Sequence, residues 1–88
     1  MSKFSLGSLY ITPGAQSQLS ESDVASSLRR HIQGDWGEVC RDDASQNDWA
    51  RDNEARILSV YHSQKGLRFW VITEADRSST TVLLPDEY

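Results

Sequence analysis

The spacing of apolar residues changes twice along the chain and divides it into three stretches. Residues 5–12 (SLGSLYIT) alternate, which predicts a first strand with Leu9 and Ile11 on one face and Leu6 and Tyr10 on the other. Thr12-Pro13 then marks a helix start, because a proline at the first helical position loses no donor the helix needs; a short turn of helix through Leu19 follows. Next, Val24, Leu28 and Ile32 recur every four residues and predict one apolar stripe on a longer helix. Ser20 is placed to cap it, Asp23 stands at its third position, and Leu19 and Val24 occupy the staple positions that fix how the chain enters. Arg29, Arg30 and His31 crowd the last turn, where positive charge suits the helix dipole, and Gly34 supplies the stop. After a turn at Asp35-Trp36-Gly37, a second helix opens at Asp42 or Asp43 and runs to about Asp52. Its inward positions are Ala44, Asn47, and either Ala50 or Trp49. That stripe is thin, so tertiary packing must hold this helix more than propensity does.

The last third returns to a period of two. In residues 54–63 (EARILSVYHS), Ile57, Ser59 and Tyr61 fall on one face and Leu58, Val60 and His62 on the other. Gln64-Lys65-Gly66 makes a hairpin turn into LRFWVITE, where Leu67, Phe69 and Val71 oppose Arg68, Trp70 and Ile72. A polar turn at 75–79 leads to a final strand, Thr80 to Leu84, ended by Pro85. The pattern predicts a single α+β domain over residues 1–88. Its sheet has three or four antiparallel strands, built on the C-terminal meander and extended by the first strand, with two or three helices packed on one face.

Composition narrows the setting. The 88 residues carry a net charge of −4, which disfavours general affinity for nucleic acid or anionic membranes. No apolar run approaches the roughly 18–20 residues of a membrane span, and MSKFSLGSLY lacks the apolar core of a signal peptide. The lone Cys40 excludes an intramolecular disulfide framework and points to a reducing compartment, so a cytoplasmic location is expected. The charge is unevenly spread. Residues 35–54 hold seven acids (Asp35, Glu38, Asp42, Asp43, Asp48, Asp52, Glu54) against Arg41 and Arg51, a net of −5, whereas the other 68 residues net +1. Such a stretch reads either as a solvated helix face or as a surface that docks on a basic protein, one that normally holds DNA or RNA. Trp36 and Trp49 lie in or beside it and read either as plugs of a small core or as aromatic anchors among charges.

Motifs for chemistry are sparse. His31 and His62 are the only histidines, and no metal-binding, phosphate-loop, dinucleotide or GxSxG spacing occurs, so neither a metal nor a cofactor is expected. Metal-independent RNA cleavage is the enzymatic alternative, since it needs a base, an acid and cations for the phosphate. His31, Arg56, Glu74 and Arg77 supply those types, and a helix followed by a meander loosely resembles small ribonuclease folds of the barnase and RelE kind. Simpler roles compete with this one: His31 as a helix-end cation, His62 as an outward strand residue, and Glu74, Asp76 and Arg77 as a network fixing a turn.

Three segments carry a family resemblance. His31-Ile32-Gln33-Gly34-Asp35-Trp36-Gly37, the RxLSxY-like strand from Arg56 to Tyr61 with Asn47 before it, and the run from Trp70 through Pro85 to Tyr88 together resemble an uncharacterised family. Its members are small proteins of plasmids, phages and integrative elements, with the pattern HxxGDWG … WVITEADRSxTTVLLPxEY. The resemblance implies a setting on mobile DNA rather than an activity. In that setting it implies an inhibitor of a host defence complex, of anti-CRISPR or anti-restriction type, that presents carboxylates to a basic nucleic-acid-binding site. The residues expected to meet such a protein or ribonucleoprotein partner are Asp35, Trp36, Glu38, Asp42, Asp43, Asp48, Trp49 and Asp52.

Overall fold

The computed structural model describes residues 4–88. Strand β1 (Ser8–Ile11) is followed by helices α1 (Pro13–Gln18), α2 (Glu21–Ile32) and α3 (Arg41–Asp52). Strands β2 (Ile57–His62), β3 (Arg68–Thr73) and β4 (Ser79–Leu83) then form the meander, and a 3-10 turn covers Pro85–Glu87. The α+β class and the meander are as the alternation predicts. One pairing differs: the sheet order is β1-β4-β3-β2, and β1 runs parallel to β4, so the sheet is mixed. Three helices separate β1 from the meander and return the chain to the opposite end of the sheet, a long-range arrangement that local alternation cannot encode.

The caps explain the helix boundaries. Ser20 Oγ accepts from the Asp23 amide at 3.0 Å while the Asp23 carboxylate accepts from the Ser20 amide, a reciprocal capping box. At the other end, the Asp35 amide donates to Arg30 O and the Gly34 amide to His31 O, closing a Schellman turn whose left-handed position (φ 85°) is Gly34. Thr12 caps α1, and its hydroxyl also donates to Glu87 at 2.5 Å. Glu87 accepts from the Gly14 amide as well, tying the C-terminal turn to the start of α1.

The core has two parts. Tyr61, Phe69, Val71 and Val82 pack under Ala15 and Leu19, with Val24 and Leu28 of α2 half-buried against them. A second cluster joins Trp36, Ala50 of α3 and Ile57, with Phe4 against it. The buried face of α2 is shifted from the predicted stripe. Ser27 and His31 are its buried residues, whereas Val24, Leu28 and Ile32 are only half-buried. The polar pair is tolerated because its hydrogen bonds are met: Ser27 Oγ donates to Val24 O at 2.7 Å, and His31 meets hydroxyls from the sheet. No buried side-chain nitrogen or oxygen among the described residues lacks a partner.

Candidate functional site

Strand β2 is one edge of the sheet, and its outward backbone groups are closed by side-chain and loop mimics of a fifth strand. The Val60 amide donates to Trp36 O at 3.1 Å, and Val60 O accepts from the Glu38 amide at 2.7 Å. One step along, the Asn47 side chain supplies both functions of a peptide group: its Nδ2 donates to Leu58 O at 2.8 Å and its Oδ1 accepts from the Leu58 amide at 3.2 Å. Gly37 has φ 76° and lies against Val60 O so closely that a Cβ there would overlap the carbonyl, which only glycine avoids. An exposed edge is a template for unwanted pairing, and here its Leu58 and Val60 groups are already taken.

This closure fixes α3 beside the edge. Asn47 and Ala50 are buried and Ala44 half-buried, which resolves the choice between Ala50 and Trp49: Ala50 is inside and Trp49 is 54% exposed. Asp42, Ser45, Trp49 and Asp52 therefore form the outward stripe, an aromatic ring with carboxylates on either side. Asp42 and Asp43 stand in the first turn, where negative charge suits the helix dipole.

The eight residues expected to meet a partner divide into two groups. Asp35 is engaged internally: it pairs with Arg30 at 2.8 Å and accepts from the Gly37 amide, and the Arg30 guanidinium holds its carboxyl below the usual range. Trp36 is 5% exposed, and its indole N–H donates to Asp48 at 2.9 Å, so both side chains serve the second core cluster. Glu38 pairs with His62 at 2.6 Å, and Asp52 lies 3.3 Å from Arg51. Asp42, Asp43 and Trp49 are exposed and without an ion pair among the described residues, and Asp52 shares their outward stripe although it is paired with Arg51.

Beside α3, on the sheet face away from α1 and α2, lies a cleft of about 400 Å³. Val39, Leu58, Val60 and Trp70 give it apolar walls, and Glu38 and Asp43 bring carboxylates. Its size falls within the range of small-ligand sites, about 300–1,000 Å³. Arg56 lines it as well, so the cleft carries both signs of charge over its apolar walls. The sequence marks Trp70 only as a strand residue. Its place in this cleft depends on the Val60–Trp70 register, which alternation does not reveal.

The residues of the enzymatic alternative are neighbours, joined mainly by contacts that hold the fold. His31 is fully buried; its Nδ1 lies 2.6 Å from Ser59 Oγ and its Nε2 2.8 Å from Thr73 Oγ1. Thr73 Oγ1 is 2.7 Å from Thr80 Oγ1, and Thr80 donates to Leu6 O. Because the Thr80 hydroxyl proton goes to Leu6, Thr73 donates to Thr80, and His31 Nε2–H must donate to Thr73. Nδ1 then accepts from Ser59. The relay is complete only with a neutral imidazole, in agreement with burial pushing the His31 pKa down to about 4, helped by the nearby Arg77 charge. Arg77 is committed elsewhere: its guanidinium donates to Ala50 O and Ala55 O at 2.7 Å and to Glu74 O at 3.1 Å. Arg56 and Glu74 are partly exposed and pair at 3.7 Å, with Arg56 also donating to the Tyr88 hydroxyl.

His31–Gly37 and the turn at 74–78 thus act as structural networks, one closing the β2 edge and the other pinning the β3–β4 turn to the end of α3. Among the described residues no three His, Cys, Asp or Glu side chains gather to hold a metal ion, and no helix is long and apolar enough to cross a membrane. What the geometry defines is an α+β domain with an acidic, aromatic-centred edge. Comparison with family models, curated proteins and solved structures returns no match.

Proposed function

We propose that the chain is a non-enzymatic, mobile-element-encoded protein of the cytoplasm that occupies a basic, nucleic-acid-binding surface on a host defence complex and so inhibits it, in the anti-CRISPR or anti-restriction manner. The observation that carries the reading is the outward stripe of α3, where Trp49 is exposed between Asp42 and Asp52 with Asp43 on the neighbouring cleft. Carboxylates ranged along a rigid helix can neutralise lysines and arginines that otherwise hold phosphates, and an exposed tryptophan among them supplies contact area. The ribonuclease alternative has the weaker support, since its histidine is buried in a neutral relay and its Arg77 is bonded to backbone carbonyls.

The test uses a panel of purified RNA-guided effectors and restriction nucleases, reading target-DNA binding by mobility shift with and without the protein. Wild type is expected to displace DNA from one of them, less effectively as salt rises. The triple variant Asp42→Arg, Asp43→Arg, Asp52→Arg should lose at least tenfold in that inhibition while keeping the wild-type circular dichroism. Asp48 is left alone because the Trp36 indole donates to it. Equal inhibition by the triple variant, or none by wild type across the panel, overturns the reading.

A further inference from the structure

The two edges of the sheet are treated differently. The β2 edge is closed by Trp36, Glu38 and Asn47, as described above, but β1 at the other edge has a partner on one side only. In its parallel pairing with β4, Ser8 and Thr12 donate inward to Ser78 O and Val82 O, which turns the backbone groups of Leu9 and Ile11 outward. The strand is short, four residues, but two common guards are missing: residues 4–20 contain no charged side chain, and the strand holds no proline. Leu9 and Tyr10 are 55% and 59% exposed. Next to the strand, Ile11 joins Leu19, Val24, Ala25 and Leu28 of the adjacent helix in an open apolar groove of about 530 Å³.

We propose that this edge pairs with a second copy of the chain, β1 against β1, to form a two-fold dimer with one continuous eight-stranded sheet. Register and charge both favour the second copy over a foreign strand. With Tyr10 on the two-fold axis, Leu9 of each copy stands opposite Ile11 of the other. These are the residues whose amide and carbonyl face outward, so four hydrogen bonds form with no slip in register. Leu9 and Ile11 share their face with Val24 and Leu28, so the same axis brings the two α2 helices together over the junction. Glu21 and Arg29 stand four residues either side of the exposed Ala25, and neither makes an ion pair among the described residues. An antiparallel meeting of the helices about Ala25 sets each Glu21 opposite Arg29 of the other copy. The surface is thus complementary to itself, and seven of the thirteen acids behind the net charge of −4 lie in residues 35–54, by the far edge. This inference is independent of the function proposed for α3.

The test is sedimentation velocity of the purified full chain from micromolar to near-millimolar concentration, with amide exchange read by NMR. Wild type is expected to dimerise with concentration, and the Leu9 and Ile11 amides should become protected as it does. Leu9→Lys, which puts a guard charge on the strand, should weaken the dimer at least tenfold with unchanged circular dichroism. Arg29→Glu should also weaken it, and the swap Glu21→Arg with Arg29→Glu should restore it, a readout that stands if Leu9→Lys fails to fold. A monomer at every concentration, a dimer indifferent to Leu9→Lys, or a charge swap no better than Arg29→Glu alone overturns the proposal.

Discussion

Acidification should destabilise this protein through His31 before its carboxylates titrate. The imidazole is fully buried and neutral, with a native pKa near 4 because burial disfavours the charged form, and it returns to about 6.5 when the chain unfolds. The unfolded state therefore binds a proton that the native state refuses. The stabilisation is complete above pH 6.5 and is lost progressively as the pH falls from there toward 4. Two and a half pKa units correspond to a limit of about 3 kcal/mol, of which about 2 kcal/mol is lost between pH 7 and pH 5. Against a total stability of about 5–15 kcal/mol, and with a urea slope of about 1–1.5 kcal/mol/M, the denaturation midpoint should fall by more than about 1 M. The comparison that isolates the group is His31→Gln, which keeps a donor and an acceptor but has no proton to take up. It should be less stable than wild type at pH 7 yet lose markedly less between pH 7 and pH 5. Groups that titrate alike in both proteins cancel in the difference. If wild type and variant lose the same amount over that interval, the neutral relay through Ser59 and Thr73 is wrong.

Two substitutions test the closed β2 edge. Asn47→Ala removes the side chain that bonds both backbone groups of Leu58, and two partly buried backbone groups left unpaired should cost about 2–4 kcal/mol in urea unfolding; a loss under about 0.5 kcal/mol refutes the mimicry. Gly37→Ala places a methyl into Val60 O at a left-handed φ, so it should destabilise by about 3 kcal/mol or more and deprotect the Val60 amide in hydrogen exchange; near wild-type stability with Val60 still protected would show that the bridge does not depend on glycine.

The elements that sequence made legible are those whose cues are local. The Ser20 cap, the Gly34 stop and the Ile57-Ser59-Tyr61 alternation all depend on residues within one turn or one strand, and each is found as predicted. His31 was obscured for the opposite reason. Beside Arg29 and Arg30 at a helix end, a histidine reads as one more cation for the dipole. The hydroxyls that make its burial tolerable come from Ser59 and Thr73, 28 and 42 residues further along. Trp36 and Trp49 show the same limit at the site. A helix with so thin an apolar stripe has no unique phase, and only the contact of Ala50 with Ile57 and Trp36 turns Trp49 outward. The β1–β4 pairing joins strands separated by most of the chain, so neither its partner nor its direction could be read from alternation.

These assignments bear on what the family-like motifs mean. His31 completes the buried relay, Gly34 ends α2, and Asp35 and Trp36 lock the following turn. Gly37 and Asn47 close the β2 edge, and Arg77 ties the last hairpin to α3. Every one of them is occupied in holding the fold, and none presents a free functional group to solvent. A chain sharing those residues would be expected to share this architecture, while its partner would be chosen at positions the motifs do not include, chiefly Asp42, Ser45, Trp49 and Asp52 on the outward face of α3. Under the proposed function, fold and specificity fall to separate residues. Replacing the outward stripe should therefore change binding without unfolding the protein, and replacing a motif residue should do the reverse, lowering stability while any affinity that survives stays specific for the same partner.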